Sequence, residues 1–319
     1  MRPRPAAESL SPLLSVSRSA KRARTRKTMT PSRASPAPDS RRPAWRRGLL
    51  KLSGELLAGD KKQGLDPHAL RWIADDIKTV ARAKRQLAVV TGAGNILRGR
   101  AAASVGLERS LADGAGMLGT VINALALHGA LSTAGVRSLV LSAFPVGNFV
   151  APYGAARARA ALDAGDVVLL AGGTGNPYFS TDSAATLRAA ELDCDLLLKA
   201  TKVDGVYDRD PEKHADAARF ISIDYEDALA RGLEVMDRTA LAMLAESRIP
   251  LVVFALSGPR SLRAAADGAG DFTLLKAGIK TRMAPRAKTR RTTTARSSSP
   301  SSSPSKSRAK TKTKTRAKR

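Results

Sequence analysis

The stretch that most constrains this chain runs from Asp166 to Leu192. Asp166 to Ala171 is a short apolar run that predicts a buried strand, and Ala184 to Leu192 predicts a helix. They are joined through GGTGNPYFSTDSAA, Gly172 to Ala185. Gly172, Gly173 and Gly175 let the backbone take positive φ or approach a ligand closely. Thr174, Asn176, Ser180 and Thr181 offer neutral hydrogen bonds. Asp182 adds one carboxylate beside a helix start, whose free N–H groups suit an anion. Ordinary strand-to-helix connections run about 2–6 residues. A longer one, rich in donors, marks the usual ligand position of an open α/β sheet. The plainer alternative is a connecting loop with Ser180 or Thr181 as helix N-cap.

The rest of the chain repeats this alternation. Gly48 to Ser53 predicts a first buried strand carrying Lys51. A lysine within such a run is costly unless its ammonium meets an anion or reaches water. Asp66 as N-cap and Pro67 at the first helical position open a helix, with Leu70, Ile73, Ile77 and Val80 as its core face. Leu87 to Thr91 predicts the second strand, followed by GAGNILRG, Gly92 to Gly99. Arg98 in that loop suits bidentate phosphate binding. The loop is not a dinucleotide fingerprint, because Leu97 stands where the last glycine belongs, and no G-x-x-x-x-G-K-[ST] sequence occurs. Asp113 to Leu131 predicts a long helix with Met117, Val121, Leu125 and Leu127 among its buried residues. Val136 to Ser142 predicts a strand and Arg157 to Leu162 a short helix. Asp195 to Lys199 predicts a strand that runs into a polar loop holding Thr201, Lys202, Asp204, Tyr207 and Asp210. Val235 to Ser247 predicts a helix and Leu251 to Phe254 a late strand. The expected class is α/β, with a mainly parallel central sheet covered by helices on both faces.

Charge divides the chain. Residues 1–47 hold 13 Lys or Arg against Glu8 and Asp39, and residues 276–319 hold 16 against no acid. Residues 48–275 are left with 25 basic and 26 acidic side chains, so bulk positive charge is not how the middle recognises a ligand. The expected organisation is a disordered basic extension over 1–47, one folded domain over 48–276, and a disordered tail over 277–319. The extension has the composition of an organelle transit peptide or a basic arm, and Met29 is an alternative start. The tail suits non-specific nucleic-acid contact through counterion release; it has no aromatic residue to stack on bases. Cys194 is the single cysteine, which fits a reducing compartment and a small buried side chain. His68, His128 and His214 lie far apart, so no metal ligands are assigned. No apolar run is read as approaching the ~20 residues of a membrane helix, and the expected location is cytoplasmic, with no membrane contact.

Five segments carry a resemblance: KLSGE (Lys51–Glu55), GAGNILRG (Gly92–Gly99), ADGAGMLGT (Ala112–Thr120), GTGNPYFSTDSAA (Gly173–Ala185) and KATKVDGVYDRDP (Lys199–Pro211). In order and spacing they resemble bacterial uridylate kinases of the amino-acid kinase superfamily, over about residues 46–275. The resemblance implies phosphoryl transfer from ATP with Mg²⁺ to UMP in pyrimidine nucleotide biosynthesis, by a homohexamer. It places Lys51, Leu52, Ser53 and Gly54 at the ATP phosphates, and Gly94 and Arg98 around phosphates between the two nucleotides. Thr201, Tyr207 and Asp210 would hold the nucleoside end of ATP. Ala93 and Asp113 would hold UMP, Asp113 at its ribose. Thr174, Gly175, Asn176, Pro177, Tyr178, Phe179, Ser180 and Thr181 would wrap it. Lys51, Arg98 and Asp182 would be catalytic, with Asp182 orienting the lysine and the phosphates. The alternatives are a related kinase with another acceptor, or a regulator that binds nucleic acid through its tails. Two departures stand out. Ala93 replaces a usual glycine, and Asn123 to Leu139 holds only His128 and Arg137 where GTP-activated members carry several basic residues. Weak GTP control is therefore expected.

Overall fold

The computed structural model describes residues 45–61, 63–97 and 106–285. Its strands are β1 (Arg47–Leu52), β2 (Gln86–Thr91), β3 (Ser138–Ser142), β4 (Ala151–Pro152), β5 (Val167–Ala171), β6 (Leu196–Thr201), β7 (Phe220–Ile223), β8 (Leu251–Ala255), β9 (Phe272–Leu275) and β10 (Arg282–Met283). They form one sheet in the order β10-β7-β9-β8-β6-β1-β2-β5-β3-β4. From β8 through β6, β1, β2 and β5 to β3 all neighbours are parallel. β9 runs antiparallel to β8, and β10 antiparallel to β7. The mainly parallel α/β class holds, with an antiparallel flank that the sequence reading did not contain.

The helices are α1 (Gly54–Leu57), α2 (Pro67–Ala81), α3 (Arg109–Thr133), α4 (Ala155–Asp163), α5 (Thr181–Glu191), α6 (Tyr225–Ala230), α7 (Arg238–Ser247) and α8 (Ser261–Ala266). They cover both faces, which is why the central strands read as unbroken apolar runs. Side chains alternate along β1. Leu50 and Leu52 join the core with Ile73 and Ile77 of α2 and Val121 and Leu127 of α3. Leu49 joins the opposite core with Ala185 and Ala189 of α5. Lys51 shares the face of Leu49 by the same period of two. Asp66 caps α2 as expected, accepting from the N–H groups of His68 and Ala69.

Several expectations are corrected. Leu125 is exposed rather than buried, as are Leu111, Leu118 and Ile122 of the same helix, because the sheet covers only one side of α3. Met117 is half-buried. Gly114 to Val136 carries no Asp, Glu, Lys or Arg, and α3 is long and apolar enough by length and composition to cross a membrane. Its Val121, Ala124, Leu127 and Leu131 are nevertheless packed in the core of the domain. Val235 is not helical: α7 starts only after Asp237, whose carboxylate accepts from Ala240 N–H. Trp45, assigned by composition to the extension, is anchored. Its indole N–H donates to Ala266 O at 2.8 Å, and the Arg85 guanidinium lies 4.5 Å from its ring centre. β10 lies beyond the expected boundary at 276. Cys194 is buried, and burial pushes its thiol up to about 12.

Candidate active site

The parallel strands β1, β2, β5 and β6 end on one edge of the sheet. The polar loops predicted at strand ends open from there. β1 and β6 pair so that Lys51 and Lys199 are register neighbours. Both side chains therefore project toward the layer that holds α5. The first turn of α5 brings Asp182 between them. Lys51 Nζ stands 2.9 Å from Oδ1 and Lys199 Nζ 2.8 Å from Oδ2, with all three side chains 12–15% exposed. Lys199 also donates to Val235 O. Burial pushes the Asp182 carboxyl up, but the ammoniums of Lys51 and then Lys199 outweigh it and hold it below the usual carboxylate range. Burial pulls Lys199 down further than Asp182 restores it. Two ammoniums sharing one carboxylate in a poorly solvated place keep N–H donors and positive charge for a polyphosphate.

Two cavities open beside this group, one walled in part by Lys199 and the other by Ser180 and Thr181, which precede Asp182. The larger, about 690 Å³, takes Lys199, Thr201, Tyr207 and Asp210 into its wall. Tyr207 donates its hydroxyl to Asp204 at 2.6 Å. Burial and that carboxylate push the phenol up to about 12. Thr201 Oγ1 closes its own turn, donating to Val203 O and accepting from Val203 N–H. The smaller cavity, about 270 Å³, is walled by Ala93, Gly94, Asp113, Phe179, Ser180 and Thr181 among others. Asp113 accepts from Tyr178 N–H at 2.7 Å and from Arg109 at 3.1 Å, tying the loop to α3.

The sequence-predicted residues do not all meet. Thr174, Gly175, Asn176, Pro177 and Tyr178 lie outside the wall of the smaller cavity. Thr174 and Asn176 close a turn on each other, Gly175 lines a different cavity together with Phe144 and Leu111, and Tyr178 is exposed beneath Arg109. Leu52 is fully buried and its carbonyl accepts from Gly92 N–H, so its side chain belongs to the core. Ser53 is the N-cap residue of α1 without a side-chain cap bond. The Ser180 hydroxyl caps α5 and donates to Asp237. Arg98 lies outside the described residues. Ala93 takes no positive φ. Its methyl is accommodated by Gly119, where an added Cβ would stand 2.9 Å away.

Close backbone approach explains two glycines. A Cβ on Gly54 would stand 2.4 Å from Asn95 Oδ1 and 2.7 Å from Gly92 O. Gly172 has φ +80, and a Cβ there would meet Phe144 and Ala143 at 2.9–3.0 Å. Sequence reasoning missed Lys199 as a site residue, although it carries the signal used for Lys51, a lysine in an apolar run. It also missed the fully buried amide pair of Asn95 and Asn123, which exchange hydrogen bonds at 3.0 and 2.8 Å. Asn123 further donates to Gly92 O, bracing the second glycine loop from α3.

Known proteins are similar to this chain in sequence and in fold. The sequence pattern described as the amino acid kinase family matches residues 46–255. A uridylate kinase of Xanthomonas campestris pv. campestris is 46% identical over 233 residues, 73% of this chain and 97% of that protein. A uridylate kinase of Rickettsia bellii is 44% identical over 232 residues, again 73% and 97%. The crystal structure of a UMP kinase from Bacillus anthracis superposes with TM-score 0.73 at 32% identity, covering 76% of this chain and 99% of that one. That of a UMP kinase from Ureaplasma parvum gives TM-score 0.70 at 35% identity, covering 72% and 98%.

Proposed function

The chain belongs to the amino acid kinase family, and from that premise we propose that it phosphorylates UMP to UDP with ATP as donor. One observation carries the reading: Asp182, in the first turn of α5, holds Lys51 and Lys199, with Lys199 in the wall of the larger cavity and the adjoining Thr181 in the wall of the smaller one. ATP occupies the larger cavity, its nucleoside beside Thr201, Tyr207 and Asp210 and its phosphates toward the lysine pair. UMP occupies the smaller one, against Ala93, Gly94, Asp113, Phe179 and Thr181. Ser53, Gly54 and Arg98 complete the phosphate contacts.

A UMP phosphate oxygen attacks the γ-phosphorus, and the bond from that phosphorus to the bridging oxygen of ADP breaks. The attacking oxygen is already anionic, so no general base is needed. Asp182, held in its charged form, has the wrong basicity for one; it holds the ammoniums in place. The catalytic requirement is alignment and charge neutralisation. A positioned ammonium in a site poor in water contributes several kcal/mol to the transition state. Among the described residues no group of three His, Cys, Asp or Glu surrounds a metal position. Asp182, the carboxylate at the lysine pair, would be the side chain that meets Mg²⁺ carried in on the ATP phosphates. When bound, the ion neutralises phosphate charge.

The enzyme works as a homohexamer in the cytoplasm. Self-association is supported by Leu111, Leu118, Ile122 and Leu125, which leave one face of α3 exposed and apolar. A cytoplasmic place is supported by substrates that are charged nucleotides. The test is an ADP-release assay with ATP against UMP, CMP, dUMP and AMP. UMP is expected to exceed CMP and AMP by at least ~100-fold in kcat/KM, about 3 kcal/mol of discrimination. Comparable turnover of CMP overturns the reading.

A further inference from the structure

Two helix N-termini meet beside the site through a carboxylate that takes no part in the phosphoryl transfer itself. Asp237 Oδ1 accepts from Ala240 N–H at 2.9 Å, capping α7. The same carboxylate reaches α5. Ser183 Oγ donates to it, 3.1 Å from Oδ1 and 3.0 Å from Oδ2, and Ser180 Oγ donates to Oδ2. Ser180 Oγ in turn accepts from Asp182 N–H at 2.9 Å and Ser183 N–H at 3.2 Å. A hydroxyl has one proton and two lone pairs, so the Ser180 hydroxyl is fully engaged within the protein.

These contacts close a ring. Asp182 holds Lys199 at 2.8 Å, and Lys199 holds Val235 O. Val235 stands two residues before Asp237, which returns through Ser180 and Ser183 to the first turn of α5. Asp237 lines neither of the two cavities assigned to nucleotides. We propose that Asp237 is a positioning residue for phosphoryl transfer. By tying the first turn of α5 to the segment that holds Lys199, it sets where the Asp182 carboxylate stands between the two lysines. This inference rests on the phosphotransferase reading of the same site. The charge of Asp237 acts in the same sense, favouring the ammonium form of Lys199 against burial.

Asp237→Asn tests it with little change of shape. Asparagine caps a helix about as well as aspartate, but it replaces one acceptor oxygen with an amide that cannot accept from Ser180. Ser183→Ala removes one of the two hydroxyl links between α5 and Asp237 without touching the α7 cap, and serves if Asp237→Asn folds poorly. Steady-state kinetics with ATP and UMP, and thermal melts, are measured on both variants and the unmodified chain. The expected result is a loss of kcat of roughly tenfold or more in Asp237→Asn and several-fold in Ser183→Ala. KM for both nucleotides should stay within about threefold, and melting should remain near that of the unmodified chain. A lower melting temperature with unchanged kcat makes Asp237 a helix cap alone and overturns the inference. A raised KM with unchanged kcat makes it a substrate contact and also overturns it. An unmodified chain inert toward ATP and UMP overturns the functional reading and this inference with it. An active chain with indifferent variants overturns this inference only.

Discussion

Asp182→Asn keeps the shape of the side chain and removes the charge between two buried ammoniums. Each nitrogen–oxygen contact is 2.8–2.9 Å. With charge centres about 4 Å apart and an effective dielectric of about 20, each attraction is about 4 kcal/mol. Lys51 and Lys199 repel across one strand spacing of about 4.8 Å by about 3 kcal/mol. The mutual attraction of the wild-type group is therefore about 5 kcal/mol, which offsets part of the desolvation of its three charged groups. Without the carboxylate the lysines repel, with Val235 O and the charge of Asp237 left to hold Lys199, and breaking such a buried pair costs about 3–5 kcal/mol. Lys199 recovers part of this by releasing its proton, which burial already favours. At about 2–4 °C per kcal/mol for a domain of this size, the melting temperature should fall by roughly 6–20 °C. ATP brings the missing anion, so ATP with EDTA should raise the melting temperature of the variant more than that of wild type. The kcat should drop by about 100- to 1,000-fold, with smaller effects on nucleotide binding. Scanning calorimetry with and without nucleotide, alongside steady-state kinetics, makes the measurement. A ligand-free melting temperature within about 2 °C of wild type, or equal increments from ATP, would refute the electrostatic account.

Lys51→Ala and Lys199→Met should each reduce kcat by about 100- to 1,000-fold while calorimetry finds UMP binding nearly unchanged. Near-normal kcat in a folded variant removes that lysine from the mechanism. Asp182 titrates below its ordinary 3.8 in the folded chain. Its contribution is thus complete above the unfolded value and is lost as pH falls through the folded one. Melts of wild type and Asp182→Asn should converge on acidification below about pH 4; a constant gap would count against the assignment. His128 bonds Ser138, and Arg137 pairs with Asp166. GTP should therefore activate less than a few-fold, and strong activation at sub-millimolar GTP would show an effector site built from other residues. A chain trimmed to residues 45–285 should keep UMP kinase activity within a few-fold and lose polyanion binding. Binding by the full chain should fall steeply with salt. Equal RNA binding by the trimmed chain would show that the tails are not its source.

The central strands were legible because burial on both faces writes them as apolar runs, as in Val167 to Leu170 and Leu196 to Leu198. The glycine loops were legible because close approach and positive φ restrict residue choice at Gly54 and Gly172. β7, β9 and β10 were not, since strands of four and two residues show no period. α5 starts three residues before Ala184, where its apolar pattern begins, at the Ser180 cap that the plainer reading of the loop offers. Lys51, Asp182 and the donor-rich loop are properties of the sequence alone, because their cost or rarity shows in local context. That Lys199 stands beside Lys51 was decided by the register of β1 on β6. That Asp182 lies between them, and that Asp237 braces it, was decided by the packing of α5 and α7 over that face. Such contacts join residues far apart in sequence, and no local pattern encodes which of them will meet.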